Sequence, residues 1–196
     1  MMGRLLAFAL ALALGACVSS TPVEVSVKTY QVGGTSIAAL NAQARRHGPA
    51  VPGLEGRAFA AVEYNFFHNF EPEQRGTRCR FNRNGNVLVR SEVTLPEWRE
   101  RDMRRAGSEV RRQWELLSEY AIIHESGHIR ISQQFAARLR DLYRASSAPD
   151  CEALMAKIER DAIPILEAER EAQNEFDRTD EVRFRRFLRR NGYDLI

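Results

Sequence analysis

The sequence predicts an α+β fold, in which a small antiparallel β-sheet is followed by a helical half. Three observations support this prediction. Apolar and polar residues alternate in segments before Pro96, apolar residues recur three and four positions apart after it, and the composition is that of a globular protein. The 196 residues, of which 44% are hydrophobic and 28% charged, suffice for one domain with a sizeable core.

The net charge of +3 does not indicate a nucleic-acid-binding protein. Such proteins carry clustered basic patches, whereas acidic residues are interleaved with the basic ones almost everywhere in this chain. No nucleic-acid partner is therefore predicted.

The first half of the chain carries the strand patterns. A short helix over 36–46 is predicted after the first strand, because Thr35 or Ser36 can cap it and Gly48 follows it. Asn84 and Gly85 predict a hairpin turn between the last two strands. The four predicted strands are 23–32, 58–67, 77–81 and 86–95.

Two long helices are predicted in the second half. The first carries one apolar face and continues to about Ala145. The second begins near Asp150, after a turn at 146–150, and continues past residue 170. The residues that recur on the face of the first helix are Trp114, Leu117, Ala121, His124, His128, Ile131 and Phe135.

The N-terminus is typical of an exported lipoprotein. Residues 1–16 combine one early cation with an apolar run that is too short to span a bilayer, as in a signal peptide. The sequence from Leu14 to Cys17 resembles the bacterial lipobox, in which the cysteine is lipidated, so 17–22 is predicted to be a lipidated tether. Val18, rather than an aspartate, follows the cysteine. In Gram-negative bacteria this favours transfer of the lipoprotein to the outer membrane, where it would face the periplasm. The alternative is ordinary secretion with a free Cys17.

The remainder is divided into a single domain over 23–180 and a basic amphipathic tail over 181–196. The tail either packs its apolar residues on the core or contacts anionic lipid beside the anchor. Cys79 and Cys151 are the two cysteines that remain after Cys17, and in an oxidising compartment they predict a disulfide. The alternative is a pair of buried thiols.

The stretch His124-Glu125-Ser126-Gly127-His128 has the HExxH pattern of zinc peptidases. Histidines four apart lie on one helix face and can bind one Zn²⁺ ion. Glu125 can stand beside the metal and act as general base toward water. The pattern predicts a zincin-like metallopeptidase. The alternative is a pair of helix histidines with structural partners only.

A catalytic zinc ion needs a third protein ligand. If the two long helices form an antiparallel hairpin, the residues opposite the motif lie at about 166 to 174. Glu167, Glu171 and Glu175 are then candidates.

Several segments resemble, in their order, a bacterial family of predicted secreted zinc-dependent proteases, a domain of unknown function with an HExxH helix. The resemblance covers roughly residues 25 to 180. The segments that carry it are TYQVGGTS, RRHGP, LPEW, HESGH and FDRT, together with the two cysteines at 79 and 151.

The resemblance implies that Cys79 and Cys151 form the family's cysteine pair. It also implies that His124 and His128 bind zinc, that Glu125 is the general base, and that Asp177 is the third ligand. The chain departs from the family pattern at Phe176, which replaces a tyrosine, and in lacking the histidine that follows.

These observations predict a zinc metallopeptidase that is lipid-anchored in the bacterial cell envelope and acts there on a peptide or protein. The membrane is contacted through the lipid anchor. The alternative is a non-enzymatic envelope lipoprotein, a binding or structural module that retains a degenerate metal site.

Overall fold

A computed structural model describes residues 21–52 and 54–192, and the predicted signal peptide and Cys17 lie outside these residues. The α+β prediction is confirmed, since small sheets in the N-terminal half precede a largely helical C-terminal half. In chain order the elements are β1 (Val23–Val32), α1 (Ile37–His47), β2 (Ala61–His68), β3 (Pro72–Arg75), β4 (Arg78–Phe81), β5 (Val87–Trp98), α2 (Glu100–Arg105), α3 (Ser108–Ala145), β6 (Ser147–Ala148) and α4 (Cys151–Arg190).

The larger sheet is mixed rather than wholly antiparallel, which corrects the sequence-based prediction. Its strand order is β1-β5-β2. β2 runs antiparallel to β5, but β1 runs parallel to it, with Val23 opposite Val89. Parallel pairing needs a long connection, and here α1, β2 and the β3–β4 ribbon lie between the two strands in sequence. Alternation of apolar and polar residues reports the faces of a strand and not its direction.

The hairpin predicted at Asn84 and Gly85 does not form. β4 pairs with β3 and β6 in a second small sheet, and not with β5. The turn between β3 and β4 contains Gly76, whose φ of 61° is favourable for glycine. Gly85 serves packing instead, because a Cβ at this position would collide with the ring of Phe70.

The end of α3 and the start of α4 agree closely with the predicted limits. α3 ends at Ala145, and Asp150 caps α4 by accepting a hydrogen bond from the backbone N–H of Ala153 at 2.8 Å. The predicted disulfide is present: the Sγ atoms of Cys79 and Cys151 are 2.02 Å apart. It joins β4 to the first residue of α4.

Two apolar clusters hold α3 against the rest of the molecule. One contains Trp114, which lies 5.7 Å from Trp98 of β5 between ring centroids. The other contains Tyr143, which stacks on Phe70 at 4.7 Å. The segment 121–128 lies between these clusters, so α3 is fixed on both sides of the histidine motif.

α4 continues through the segment predicted as a tail and ends at Arg190. Phe184 and Phe187 contact the ring of Tyr120 on α3, with centroid distances of 4.6 and 5.2 Å. Within residues 21–52 and 54–192, no helix combines the length and apolar composition that a membrane span requires.

Candidate metal centre

Three side chains of α3 and α4 meet at one point. The Nε2 atoms of His124 and His128 are 3.1 Å apart. The Oδ1 atom of Asp177 lies 3.4 Å from the first and 3.0 Å from the second. The ligand atoms of all three residues lie within 4.8 Å of one another, so this group could hold a metal ion.

Each imidazole is anchored through its other nitrogen to α4. The Nδ1 atom of His124 lies 2.8 Å from Oδ2 of Asp180, which also accepts a hydrogen bond from the Tyr120 hydroxyl at 2.8 Å. The Nδ1 atom of His128 lies 2.7 Å from Oε1 of Gln173. Carboxylate and amide oxygens accept hydrogen bonds, so both contacts favour the tautomer with the hydrogen on Nδ1.

This hydrogen-bond pattern leaves both Nε2 atoms with a free lone pair. They face each other and the Asp177 carboxylate, and no hydrogen stands between them in the neutral rings. Three electron-rich atoms at this separation repel one another unless a cation or an added proton lies among them. The donor set therefore fits a metal ion, and the anchoring of the ligand histidines by oxygen acceptors is typical of metal sites.

Glu125 is buried beside this group, with 4% of its surface exposed. The backbone N–H of Val62, on β2, lies near enough to its carboxylate to influence its pKa. Burial raises the pKa of Glu125 to about 7; nearby Asp177 adds to the effect, whereas His124 and the Val62 backbone N–H oppose it. A carboxyl group of this kind is suited to accept and release protons near neutral pH.

Phe176 closes the helix interface over the motif. Its ring is nearly parallel to that of His124, at 5.2 Å and an angle of 28° between planes, and meets His128 edge-on at 4.9 Å. The ring lies against Gly127, where a Cβ would collide with it. Glycine inside this helix thus allows α4 to approach the motif closely.

The three glutamates that the hairpin estimate suggested lie away from the histidines. Glu171 and Glu175 form ion pairs with Arg178 on the exposed side of α4, and Glu167 is also exposed. The residues that face the motif are Gln173, Asp177 and Asp180, about one helical turn further along. The connection between the helices is an extended segment paired with β4 rather than a symmetric turn.

The sequence reasoning did not single out Asp180, Gln173, Glu169 or Tyr120. A signal for three of them was available, because Glu169, Gln173, Asp177 and Asp180 recur at spacings of three and four. Polar residues on the face of a helix that packs against another helix are unusual unless they have partners. His47 and His68 are not among the residues of the metal cluster.

A cleft of about 980 Å³ opens beside the candidate metal centre. His124, Glu125 and Asp177 line it. Its walls come from α1, the segment before β2, the first half of α3 and the end of α4. The apolar residues among them include Ile37, Phe59, Leu117, Phe184 and Leu188.

Comparison with known proteins gives one family match. The model of a family described as "Bacterial protein of unknown function (DUF922)" matches residues 27–183, which is more than half of the chain and includes every residue of the metal cluster. No curated protein and no solved structure matches the chain. The chain therefore belongs to the DUF922 family of bacterial proteins of unknown function.

Proposed function

We propose that the protein is a zinc-dependent peptidase of the bacterial cell envelope. The observation that carries the proposal is the convergence of two imidazole nitrogens and one carboxylate oxygen beside a buried glutamate. Two histidines and one carboxylate are a common ligand set of catalytic zinc, and three protein ligands leave a position open for water or substrate.

The distances among the donor atoms are compatible with zinc. Ligands at 2.0–2.1 Å from a tetrahedral zinc ion are separated by about 3.3 Å. The corresponding distances among His124, His128 and Asp177 are 3.1, 3.0 and 3.4 Å. The set is preorganised for an ion of this size.

The chemistry assigned to the site follows from these residues. His124, His128 and Asp177 would hold the ion. Zinc, when bound, supplies a Lewis acid that polarises a carbonyl group and makes water more acidic. Glu125 would take the proton from the attacking water and pass it to the amine that leaves as the peptide bond breaks.

The cleft supports an extended peptide as substrate. From Gln113 to Glu125, both lining residues, α3 advances about 18 Å at 1.5 Å per residue. That length corresponds to about five residues of an extended chain. The apolar walls would favour apolar side chains of the peptide.

The envelope location rests on the sequence and on the disulfide. Residues 1–16 resemble a lipoprotein signal peptide that precedes Cys17. The Cys79–Cys151 bridge is typical of proteins that fold in an oxidising compartment.

The proposal is tested by metal content and hydrolysis together. After zinc loading, elemental analysis should find about one equivalent per chain, and less than about a tenth of an equivalent would contradict zinc binding. Asp177→Ala should lose zinc. Glu171→Ala removes a carboxylate from the exposed side of the same helix and should retain it.

Hydrolysis is measured with a library of quenched fluorescent peptides of varied sequence. Glu125→Gln should keep its zinc and lose activity by at least about 100-fold, because the amide cannot accept the proton. Equal activity in this variant would refute the role of Glu125. A wild-type protein that binds zinc but cleaves no peptide would favour the non-enzymatic lipoprotein.

A further inference from the structure

A buried chain of polar groups lies behind His128, on the side away from the candidate metal. It consists of Ser132 on α3 and of Glu169 and Gln173 on α4, with 0%, 5% and 7% of their surfaces exposed. Polar groups that are this deeply buried need hydrogen-bond partners, so their orientations are tightly determined.

The surroundings of Gln173 fix the direction of its amide group. Its Nε2 atom lies 2.6 Å from Oε1 of Glu169, 3.2 Å from the backbone oxygen of His128 and 3.0 Å from Oγ of Ser132. A carboxylate and a carbonyl can only accept hydrogen bonds, so the amide nitrogen must face them. The amide oxygen of Gln173 is thereby directed at Nδ1 of His128.

Glu169 is held on the side of α3 and lies near the sheet. Its Oε1 atom accepts a hydrogen bond from the Ser132 hydroxyl at 3.4 Å as well as the one from Gln173. The Tyr64 hydroxyl, on β2, lies near this carboxylate and keeps its hydrogen, because burial first, and then the proximity of Glu169, raise the pKa of Tyr64. Hydrogen bonds therefore connect the buried Glu169 to Ser132 and, through Gln173, to an imidazole of the metal cluster.

We propose that Glu169 is a positioning residue that acts through Gln173: it holds the hydrogen of His128 on Nδ1 and so keeps Nε2 free for a metal ion. The role in metal binding rests on the proposed function, whereas the position of the hydrogen is a property of the metal-free protein. His124 is held by the carboxylate of Asp180 directly. His128 is held by the carboxylate of Glu169 indirectly, through the amide group of Gln173.

The position of the hydrogen is measured by NMR. Long-range proton–nitrogen correlations of the histidine rings distinguish the two neutral forms, and they are recorded on the metal-free full chain at a pH at which the rings are neutral. The wild type should show His128 with its hydrogen on Nδ1. A wild-type ring with the hydrogen on Nε2 would overturn the proposal.

Glu169→Gln is the decisive variant. It keeps the shape of the side chain but replaces the shortest acceptor contact of the Gln173 amide, at 2.6 Å, with a possible donor. The longer contact with the His128 backbone oxygen remains, so a fraction of the amides should turn over and His128 should become a mixture of both forms. Affinity for cobalt, followed by its visible absorption, should fall roughly tenfold, as for other partners of metal ligands. Unchanged His128 signals in this variant would refute the proposal.

A matched control and a rescue separate this role from simple packing. Glu167→Gln makes the same change on an exposed part of α4 and should alter neither the signals nor the affinity. Glu169→Gln combined with Gln173→Glu exchanges the acceptor and the donor. This double variant should restore the His128 signals and the cobalt affinity of the wild type. If the double variant resembles Glu169→Gln alone, Glu169 does not act through Gln173 and the proposal fails.

The outcome also separates this inference from the proposed function. The protein could bind neither zinc nor cobalt while its His128 signals change in Glu169→Gln and return in the double variant. This result would support the positioning role of Glu169 and contradict the proposed peptidase activity.

Discussion

At the scale of single residues, the candidate site depends on a contact that involves no metal ligand. Gly127 lies inside α3, where glycine costs about 1 kcal/mol relative to alanine. The ring of Phe176 occupies the space that a side chain at this position would need. The loss of helix stability is offset by close packing of α4 against both histidines.

Replacing this glycine is expected to be harmful despite the gain in helix propensity. Gly127→Ala should push Phe176 off the histidine rings and lower the free energy of unfolding by about 1–3 kcal/mol, as overpacking does. Denaturant unfolding measures the stability, and zinc competition should show weaker binding.

Gly107→Ala is the matched control, because no atom lies within 4 Å of a Cβ built at that position. Its free energy of unfolding should fall by at most about 1 kcal/mol, because Gly107 is the N-cap of α3, where alanine is less favourable than glycine. A Gly127→Ala protein that is more stable than the wild type would show that helix propensity outweighs the contact with Phe176.

Part of the site could be predicted from the residues alone. The spacing of His124 and His128 places them on one face of any helix, and Glu125 follows from the same pattern. Asp177 was predicted as the third ligand from the family resemblance. The spacing of Gln173 and Asp180 places them on the same face of α4 as Asp177, but their partners on α3 could not be predicted, because these depend on how far α4 is shifted along α3, which no local pattern records.

At the scale of elements, the helices were predicted more accurately than the pairing of the strands. An amphipathic helix carries its own period, so α3 and α4 could be delimited locally. The pairing partner of β1 and its direction depend on packing in the core. β4 and β5 resemble a hairpin in sequence, although they lie in different sheets. Gly85 looked like a turn residue because its packing role against Phe70 is not visible in the sequence.

The disulfide between β4 and α4 should contribute strongly to stability. It closes a loop with a sequence separation of 72, which corresponds to about 4 kcal/mol in the chain-entropy model. The double variant Cys79→Ala with Cys151→Ala should lose about this much in denaturant unfolding.

Wild-type protein measured in reductant serves as the control for the lost side-chain volume at Cys79, which is fully buried. The free energy of unfolding of the reduced wild type should fall by a similar amount. Equal unfolding midpoints with and without reductant would show that the bridge contributes little.

At the scale of the whole molecule, the order of a sheet followed by a helical hairpin places the residues of the candidate metal centre. The proposed ligands all lie on α3 and α4, whereas β2 places the backbone N–H of Val62 near Glu125 and the hydroxyl of Tyr64 near Glu169. The sheet therefore supports the site without providing a ligand.

The location of the protein is tested at Cys17. If this cysteine is lipidated, Cys17→Ala should move the protein from the membrane fraction to the soluble periplasmic fraction, because the acyl chains that anchor it are no longer attached. Immunoblots of both fractions measure the change. Ser19→Ala, which leaves the lipobox intact, should remain with the membrane. Persistence of Cys17→Ala in the membrane fraction would argue against a lipid anchor.

The crosslink also bears on what a surrounding protease could do to the molecule. A cut at the exposed Gly107, between α2 and α3, would divide the chain into a piece with Cys79 and a piece with Cys151, and the two would remain covalently joined. His124, His128 and Asp177 would stay together on the second piece, and the first would still cover Glu125. A nicked molecule would thus keep the residues of the candidate metal centre assembled although its backbone is broken.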